Sequence, residues 1–139
     1  MLIKLRKLED PLHFEAVNEA GRTVQMDAKI TAGGTGHSMG PMETLISALG
    51  GCSSIDIVLL LKKFRQDLKD LQVEIQADRD PVQIPSLFIR IHAHYHLYGA
   101  LDPKKVEKAI SLSIDKYCSV SQILKKTVPI TYSFSIHPA

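Results

Sequence analysis

The stretch ISALGGCSSIDIVLLLKK, residues 46–63, decides the fold of this chain. Its apolar residues keep a helical repeat that extends back to Pro41, a residue suited to the first turn of a helix. Gly50, Gly51 and Cys52 interrupt this apolar pattern. Each glycine costs about 0.5–1 kcal/mol relative to alanine inside a helix. The pair therefore predicts that a neighbouring backbone, a crossing helix or a small molecule comes close to this part of the helix.

The second half of the same helix is apolar in nearly every direction. The apolar residues there are Ile55, Ile57, Val58, Leu59, Leu60 and Leu61. In a chain of 139 residues, a helix that is apolar all round suggests that a second subunit covers one side. The longest unbroken apolar run, Ile57 to Leu61, is far too short for a membrane span and is followed by Lys62 and Lys63. No membrane is therefore predicted as a partner.

The segments on either side of the helix predict an α+β fold in a single domain, residues 1–139. Three short alternating segments precede it and predict an antiparallel meander, which a glycine-rich loop connects to the helix. Two strands, two helices and a closing strand are predicted after it. The predicted ranges are strands 2–8, 12–18 and 22–27, loop 31–40, strands 72–79 and 86–98, helices 102–117 and 119–124, and strand 127–137. This order predicts an antiparallel sheet with helices on one side.

Composition is that of an ordinary globular protein and gives little information about function. The chain is 45% hydrophobic and 23% charged, with a formal net charge of +2. Such a small charge gives no indication of nucleic acid or an anionic membrane as a partner. The N-terminus, MLIKLRKLED, lacks the apolar segment and cleavage site of a signal peptide. A cytoplasmic location is therefore expected.

Two cysteines, Cys52 and Cys118, are the residues best suited to chemistry. In a cytoplasmic protein they are either small buried apolar residues or a pair that forms a transient disulfide. Asp56 follows Cys52 by one helical turn, which places its carboxylate on the same face. Cys118 precedes a capping-box pattern, Ser119 to Gln122, so a helix dipole and free backbone N–H groups are expected to stabilise its thiolate.

Two segments together resemble a known family. GPMETLISALGGCSSIDIVLLLKKFR, residues 40–65, and AISLSIDKYCSVSQIL, residues 109–124, are similar to the OsmC/Ohr family of osmotically induced and organic-hydroperoxide-resistance proteins, and most to its YhfA-like branch. The resemblance implies the OsmC-like fold, an antiparallel sheet with a long central helix. It also implies an intertwined homodimer with the long helices at its centre and the two active sites at the subunit interface.

The resemblance further implies a thiol-dependent peroxidase that uses no metal and no organic cofactor. Cys52 would be the thiolate that attacks an organic hydroperoxide and becomes a sulfenic acid, and Cys118 would resolve it into a disulfide. A dithiol donor, which resembles a lipoylated protein in other members, would then reduce the disulfide. The alternative is a non-catalytic dimer of the same fold that acts as a redox sensor or binds small molecules.

The chain departs from the family at the groups that activate the thiol. Peroxidase members have a glutamate directly after the proline of the first helix, and it holds an arginine against the reactive thiol. Here that position is Met42, and the carboxylate follows at Glu43. Glu43 is either a shifted equivalent or an ordinary charge in the first turn of a helix. Arg22, Arg79 and Arg90 are the candidate arginines.

A histidine-rich strand offers a competing interpretation. His92, His94 and His96 lie on one face of a predicted strand, and neighbouring positions on a face are close enough for two histidines to share a zinc ion. Three histidines along a straight strand span roughly 13 Å, so at most two can bind one metal. The only other free candidate is His37, in the glycine-rich loop. A solvent-facing or interface strand face that uses histidine is the alternative, and no metal site is assigned.

Overall fold

The computed structural model describes all 139 residues and confirms the α+β fold class. Six strands and three α-helices follow one another in the predicted order. The strands are β1 Ile3–Lys7, β2 Phe14–Asn18, β3 Thr23–Met26, β4 Asp70–Arg79, β5 Phe88–Tyr98 and β6 Ile130–His137. The helices are α1 Pro41–Lys63, α2 Pro103–Leu112 and α3 Ser119–Leu124.

The chain divides into two compact units, Met1–Ser47 and Ala48–Ala139. The first contains the three-stranded sheet β1-β2-β3, and the second contains the three-stranded sheet β4-β5-β6. The assignment of residues 1–139 to one domain therefore stays a prediction.

The first unit is the predicted antiparallel meander. β2 pairs antiparallel with both β1 and β3. The turn between β2 and β3 is stabilised by Asn18, whose Oδ1 accepts the backbone N–H groups of Ala20 and Arg22 at 3.0 and 2.9 Å. Gly21 in this turn has φ +77°, a conformation that glycine adopts at little cost.

The sheet of the second unit is mixed, so the prediction of an antiparallel sheet was wrong for its last strand. β4 and β5 pair antiparallel, but β5 and β6 pair in parallel, from Ile91 opposite Ile130 to Tyr98 opposite His137. The physical reason is the connection between them. α2 and α3 separate β5 from β6, and a helical crossover returns the chain to the end of the sheet where the previous strand began.

One side of α1 supplies much of the core of the second unit. Leu49, Ser53, Ile57 and Leu61 follow one another at helical spacing and are fully buried. A side chain at Gly50 would come within 3.1 Å of Ile75 Cδ1 on β4. Gly50 therefore allows the sheet to pack closely against the helix, which is the structural role expected of a glycine in a buried helix face.

The other side of α1 is exposed in the single chain. Ile55 is 64% exposed and Leu59 is 60% exposed, and a side chain at Gly51 would meet nothing within 4 Å. By length and composition α1 could also cross a membrane, since its most apolar window has a mean hydropathy of 1.9. The unbroken apolar run is too short to indicate this, because polar and small residues divide the apolar sequence of α1. Core helices of soluble proteins satisfy the same criterion, and α1 packs one side on a sheet.

Candidate redox site

The two cysteines and one carboxylate meet within the second unit. The Sγ atoms of Cys52 and Cys118 and a carboxylate oxygen of Asp56 all lie within 4.8 Å of one another. Cys52 and Asp56 project from adjacent turns of α1 and are half-buried, whereas Cys118 is completely buried. Both cysteines are free thiols. The fold thus brings together two sulfur atoms that are far apart in the sequence.

A single π-helical turn, Ser113–Tyr117, positions Cys118 between α2 and α3. The N–H of Cys118 donates to the carbonyl of Ser113 at 2.8 Å, and the residue itself has an extended backbone. π-Helical turns are uncommon and often occur at functional sites. Here the turn ends the helical path, so that the Cys118 side chain lies against α1.

Cys118 is itself the N-cap of α3. Its Sγ accepts the N–H of Ser121 at 3.4 Å. The predicted capping box that began at Ser119 was therefore wrong by one residue. Gln122 does not reach back to the cap, because its Nε2 donates to the carbonyl of Ile114 at 3.3 Å.

Burial raises the pKa of Cys118 to about 11. The Ser121 N–H lowers this pKa, as expected for a donor to a thiolate, but its effect is smaller than that of burial. The neighbouring Cys52 thiol and Asp56 carboxylate raise it further. The expectation that the helix terminus stabilises the Cys118 thiolate was therefore wrong in its net effect, and Cys118 is a neutral thiol at pH 7.

The complete burial and the raised pKa of Cys118 predict an order of alkylation. At pH 8 we expect iodoacetamide to modify Cys52 at least ~10-fold faster than Cys118, because a pKa of about 11 leaves only ~0.1% of a thiol ionised at that pH. The reaction of Cys118 should continue to accelerate as the pH rises towards 11. Mass spectrometry of the two cysteine-containing peptides measures both rates. Equal labelling of the two cysteines at pH 8 would contradict the assignment of Cys118 as a buried, protonated thiol.

Buried hydroxyl groups connect the site to the sheet. Ser113 Oγ lies 3.1 Å from Asp56 Oδ2 and 3.3 Å from the carbonyl oxygen of Ser53. Tyr95 on β5 donates its hydroxyl to Ser53 Oγ at 2.8 Å. These three residues were not predicted from the sequence. The available signal was Ser53, a polar residue at a buried position of the apolar repeat of α1.

Glu43 has a capping role. Its Oε2 accepts the backbone N–H of Gly40 at 2.7 Å, the contact made by the acidic residue of a capping box. Glu43 is exposed and forms no salt bridge within the chain. This contact favours the interpretation of Glu43 as an ordinary charge in the first turn of α1. A catalytic role for Glu43 stays a prediction.

Two of the three candidate arginines bind groups other than the reactive thiol. The guanidinium group of Arg79 donates to the carbonyl of Ser86 at 2.9 and 3.1 Å. Arg90 forms an ion pair with Asp78 at 2.8 Å. Arg22 lies in the first unit, is exposed and forms no side-chain hydrogen bond or ion pair. The charged groups that influence the pKa of Cys118 include no cation.

The histidines of β5 form a hydrogen-bonded row along the sheet. His92 lies between the hydroxyls of Thr131 and Ser133, at 2.7 and 2.8 Å. His94 lies between Ser133 and Ser135, at 2.6 and 2.9 Å. Both ring nitrogens of each histidine are thus engaged by hydroxyl groups. This arrangement favours the interpretation of a half-exposed polar strand face.

The comparisons with known proteins agree with this architecture. The model of the OsmC-like protein family matches residues 34–133. Protein YhfA of Escherichia coli K12 is 37% identical over 132 residues, which cover 94% of each chain.

Two solved structures share the fold. A hypothetical protein of Aquifex aeolicus superposes with a TM-score of 0.85 at 26% identity, over 100% of this chain and 98% of its own. An organic hydroperoxide resistance protein, OsmC of Legionella pneumophila, superposes with a TM-score of 0.73 at 14% identity, over 97% of both chains. The family model and the E. coli relative each cover most of the sequence, and the chain therefore belongs to the OsmC-like protein family.

Proposed function

We propose that the protein is a thiol-dependent peroxidase that reduces organic hydroperoxides with Cys52 and Cys118. The observation that carries the proposal is the approach of two free sulfur atoms within 4.8 Å of each other, one half-exposed and one buried. Membership of the OsmC-like family supports a redox role. A fold neighbour is described as an organic hydroperoxide resistance protein, which is the reason to propose this class of substrate.

The proposed reaction has two chemical steps before reduction. The Cys52 thiolate attacks the terminal oxygen of the hydroperoxide, the O–O bond breaks, and the alkoxide takes a proton and leaves as an alcohol. Cys52 is now a sulfenic acid. The Cys118 sulfur attacks it and forms the disulfide, while the hydroxide leaves with the thiol proton as water. An external dithiol, which we propose to be a small dithiol or a lipoylated protein, reduces the disulfide and is itself oxidised.

The exposure of Cys52 and the burial of Cys118 support different roles for the two cysteines in the proposed reaction. A peroxide can reach the half-exposed Cys52, whereas Cys118 is buried and has its pKa raised by burial. The thiolate is the nucleophile in peroxide reduction. Cys118 suits the second step, in which a thiol already adjacent to the sulfenic acid needs no access to solvent. Rotation of the side chains must bring the sulfurs to the ~2.05 Å of a disulfide bond.

We also propose that the protein forms a homodimer through the exposed side of α1. Ile55, Val58 and Leu59 form an apolar stripe on that side, and they are 64%, 44% and 60% exposed in the single chain. Contiguous apolar surface of this kind on a helix marks an interaction site. A second copy of the chain is the partner that the family resemblance implies.

The double variant Ile55→Asp/Leu59→Asp tests the dimer. Two carboxylates on this stripe would have to be desolvated in the interface, at a cost of several kcal/mol, so the variant should be monomeric. Light scattering after size-exclusion chromatography measures the mass, with Val82→Asp, an exposed apolar residue in the β4–β5 connection, as the control. A dimeric double variant, or a monomeric wild-type protein at the same concentration, would contradict this interface.

Oxidation of the reduced protein by cumene hydroperoxide and by hydrogen peroxide tests the peroxidase. The expected result is rapid loss of two thiols per chain, one equivalent of cumyl alcohol and a Cys52–Cys118 disulfide, with the organic oxidant reacting faster. Addition of dithiothreitol or a lipoyl peptide should give repeated turnover. If thiol loss is as slow as for free cysteine with both oxidants, the protein is not a peroxidase.

A redox sensor is the second candidate, and the position of Asp56 favours it. Burial raises the pKa of Cys118 and the neighbouring Asp56 carboxylate raises it further, which opposes formation of the Cys118 thiolate. A sensor would form the same disulfide once per chain, slowly, and would show no turnover with a dithiol donor. Multiple-turnover measurements therefore distinguish the two functions.

A further inference from the structure

We propose that the reduced protein binds one zinc ion through Cys52, Asp56 and Cys118. The site is distinct in function from peroxide reduction, and it exists whether or not Cys52 reacts with hydroperoxides. It would place a thiophilic divalent cation at the point where α1 meets the N-cap of α3. Oxidation of the two cysteines to a disulfide would remove two of its three protein ligands.

The separations of the ligand atoms suit a tetrahedral ion. Zn–S bonds of ~2.3 Å and Zn–O bonds of ~2.0–2.2 Å place tetrahedral ligand atoms ~3.5–3.8 Å apart. The three atoms here lie within 4.8 Å of one another. A contraction of at most about 1.3 Å, which rotation about the cysteine and aspartate side-chain bonds can supply, would complete the geometry.

The chemistry of the donor set selects the metal. Two thiolates are soft ligands that favour zinc over magnesium or calcium, and the carboxylate adds a third negative charge. Zinc binding would displace the thiol protons, so binding and proton release are coupled. Cys52 and Asp56 are half-exposed, which leaves the fourth position open to water, as in zinc sites that have three protein ligands.

Neighbouring groups already orient two of the ligands. Ser113 Oγ lies 3.1 Å from Asp56 Oδ2, and the Ser121 N–H donates to Cys118 Sγ at 3.4 Å. Hydrogen bonds to the ligand atoms are a general feature of metal sites, and they fix the orientation of the ligands. Ser113 belongs to the π-helical turn and Ser121 to α3, whereas Cys52 and Asp56 come from α1. The ion would thus tie the two segments together.

The histidine row on β5 is the competing zinc site and must be controlled for. His96 Nδ1 lies 3.0 Å from His137 Nε2, and the two rings are stacked with their centroids 5.3 Å apart. Imidazole also binds zinc. The number of ions bound per chain would not show which site holds them. A spectroscopic band that arises from thiolate ligands is therefore needed to locate the ion.

The test uses Co²⁺ as a spectroscopic probe and Zn²⁺ as a competitor on the reduced, chelator-treated full chain. We expect one equivalent of Co²⁺ to give thiolate-to-cobalt charge-transfer absorption and tetrahedral d–d bands, both lost on addition of one equivalent of Zn²⁺. Cys52→Ser and Cys118→Ser should each remove most of the charge-transfer intensity. Asp56→Asn should weaken Zn²⁺ binding by at least the ~10–100-fold that is typical of replacing a residue that only orients a metal ligand.

The control variant is His96→Gln, which should bind Co²⁺ with unchanged charge-transfer intensity. Oxidised protein that carries the disulfide should show no charge-transfer band. Absence of the band in reduced wild-type protein, or binding that survives both cysteine replacements and is lost in His96→Gln, would overturn the proposal. No peroxide enters the experiment, so its result is separate from the outcome of the peroxidase assay.

Discussion

Replacing Cys52 with serine is expected to reduce the rate of cumene hydroperoxide reduction by ~10³-fold or more. Serine keeps the size of the side chain but provides no thiolate, so the first bond-forming step has no nucleophile. The half-buried position of Cys52 on α1 tolerates serine, and folding should be retained. Coupled consumption of hydroperoxide and dithiothreitol measures the rate, and thermal unfolding confirms that the variant is folded.

Replacing Cys118 with serine is the matched control, since it should block only the second step. The variant should release one equivalent of alcohol per chain and then hold Cys52 as a sulfenic acid, which dimedone traps and mass spectrometry identifies. If Cys52→Ser still reduces hydroperoxide while Cys118→Ser does not, the roles of the two cysteines are reversed. If neither replacement changes the rate, the observed activity does not come from this pair.

Replacing Gly99 with alanine is expected to destabilise the protein by ~3 kcal/mol or more. Gly99 follows β5 with φ +138°, and an added Cβ would clash with the carbonyl oxygen of Asp67. The backbone cannot move away easily, because Gly99 N–H donates to His137 at 3.0 Å and Lys69 N–H donates to Tyr98 at 2.8 Å. Conformational strain and a backbone clash therefore act together.

Thermal or urea unfolding measures this effect, with Gly21→Ala as the control. Gly21 also has a positive φ, +77°, but an added Cβ there would meet nothing within 4 Å. Its replacement should cost only ~1–2 kcal/mol, the strain of the left-handed conformation alone. A Gly99→Ala variant no less stable than Gly21→Ala would show that the contact with Asp67 relaxes without cost.

Local patterns were sufficient to predict most of the elements. Asp102 directly precedes Pro103, a pair typical of a helix start, and it caps α2 by accepting the Lys104 N–H at 2.9 Å. The alternating residues of the closing segment form β6, and its apolar face packs on the core. Such features depend on contacts within a few residues of one another, and these contacts are encoded in the spacing of residue types.

Contacts between distant segments were not predictable in the same way. The parallel pairing of β6 depends on the path of the crossover through α2 and α3, which periodicity does not specify. The side of α1 that is buried could not be predicted for the same reason. The repeat shows that the helix is apolar on several sides, but only the folded chain shows which side faces the sheet.

For the candidate site, the sequence by itself determined the two cysteines, their separate elements and the carboxylate one turn from Cys52. Only the tertiary structure decided that all three meet and that Cys118 is a buried thiol of raised pKa. Ser53, Ser113 and Tyr95 also became part of the site only through folding. The physical reason is that burial and the separation of distant side chains are set by the packing of α1 against β5 and the segment around the π-helical turn. No local run of residues contains that information.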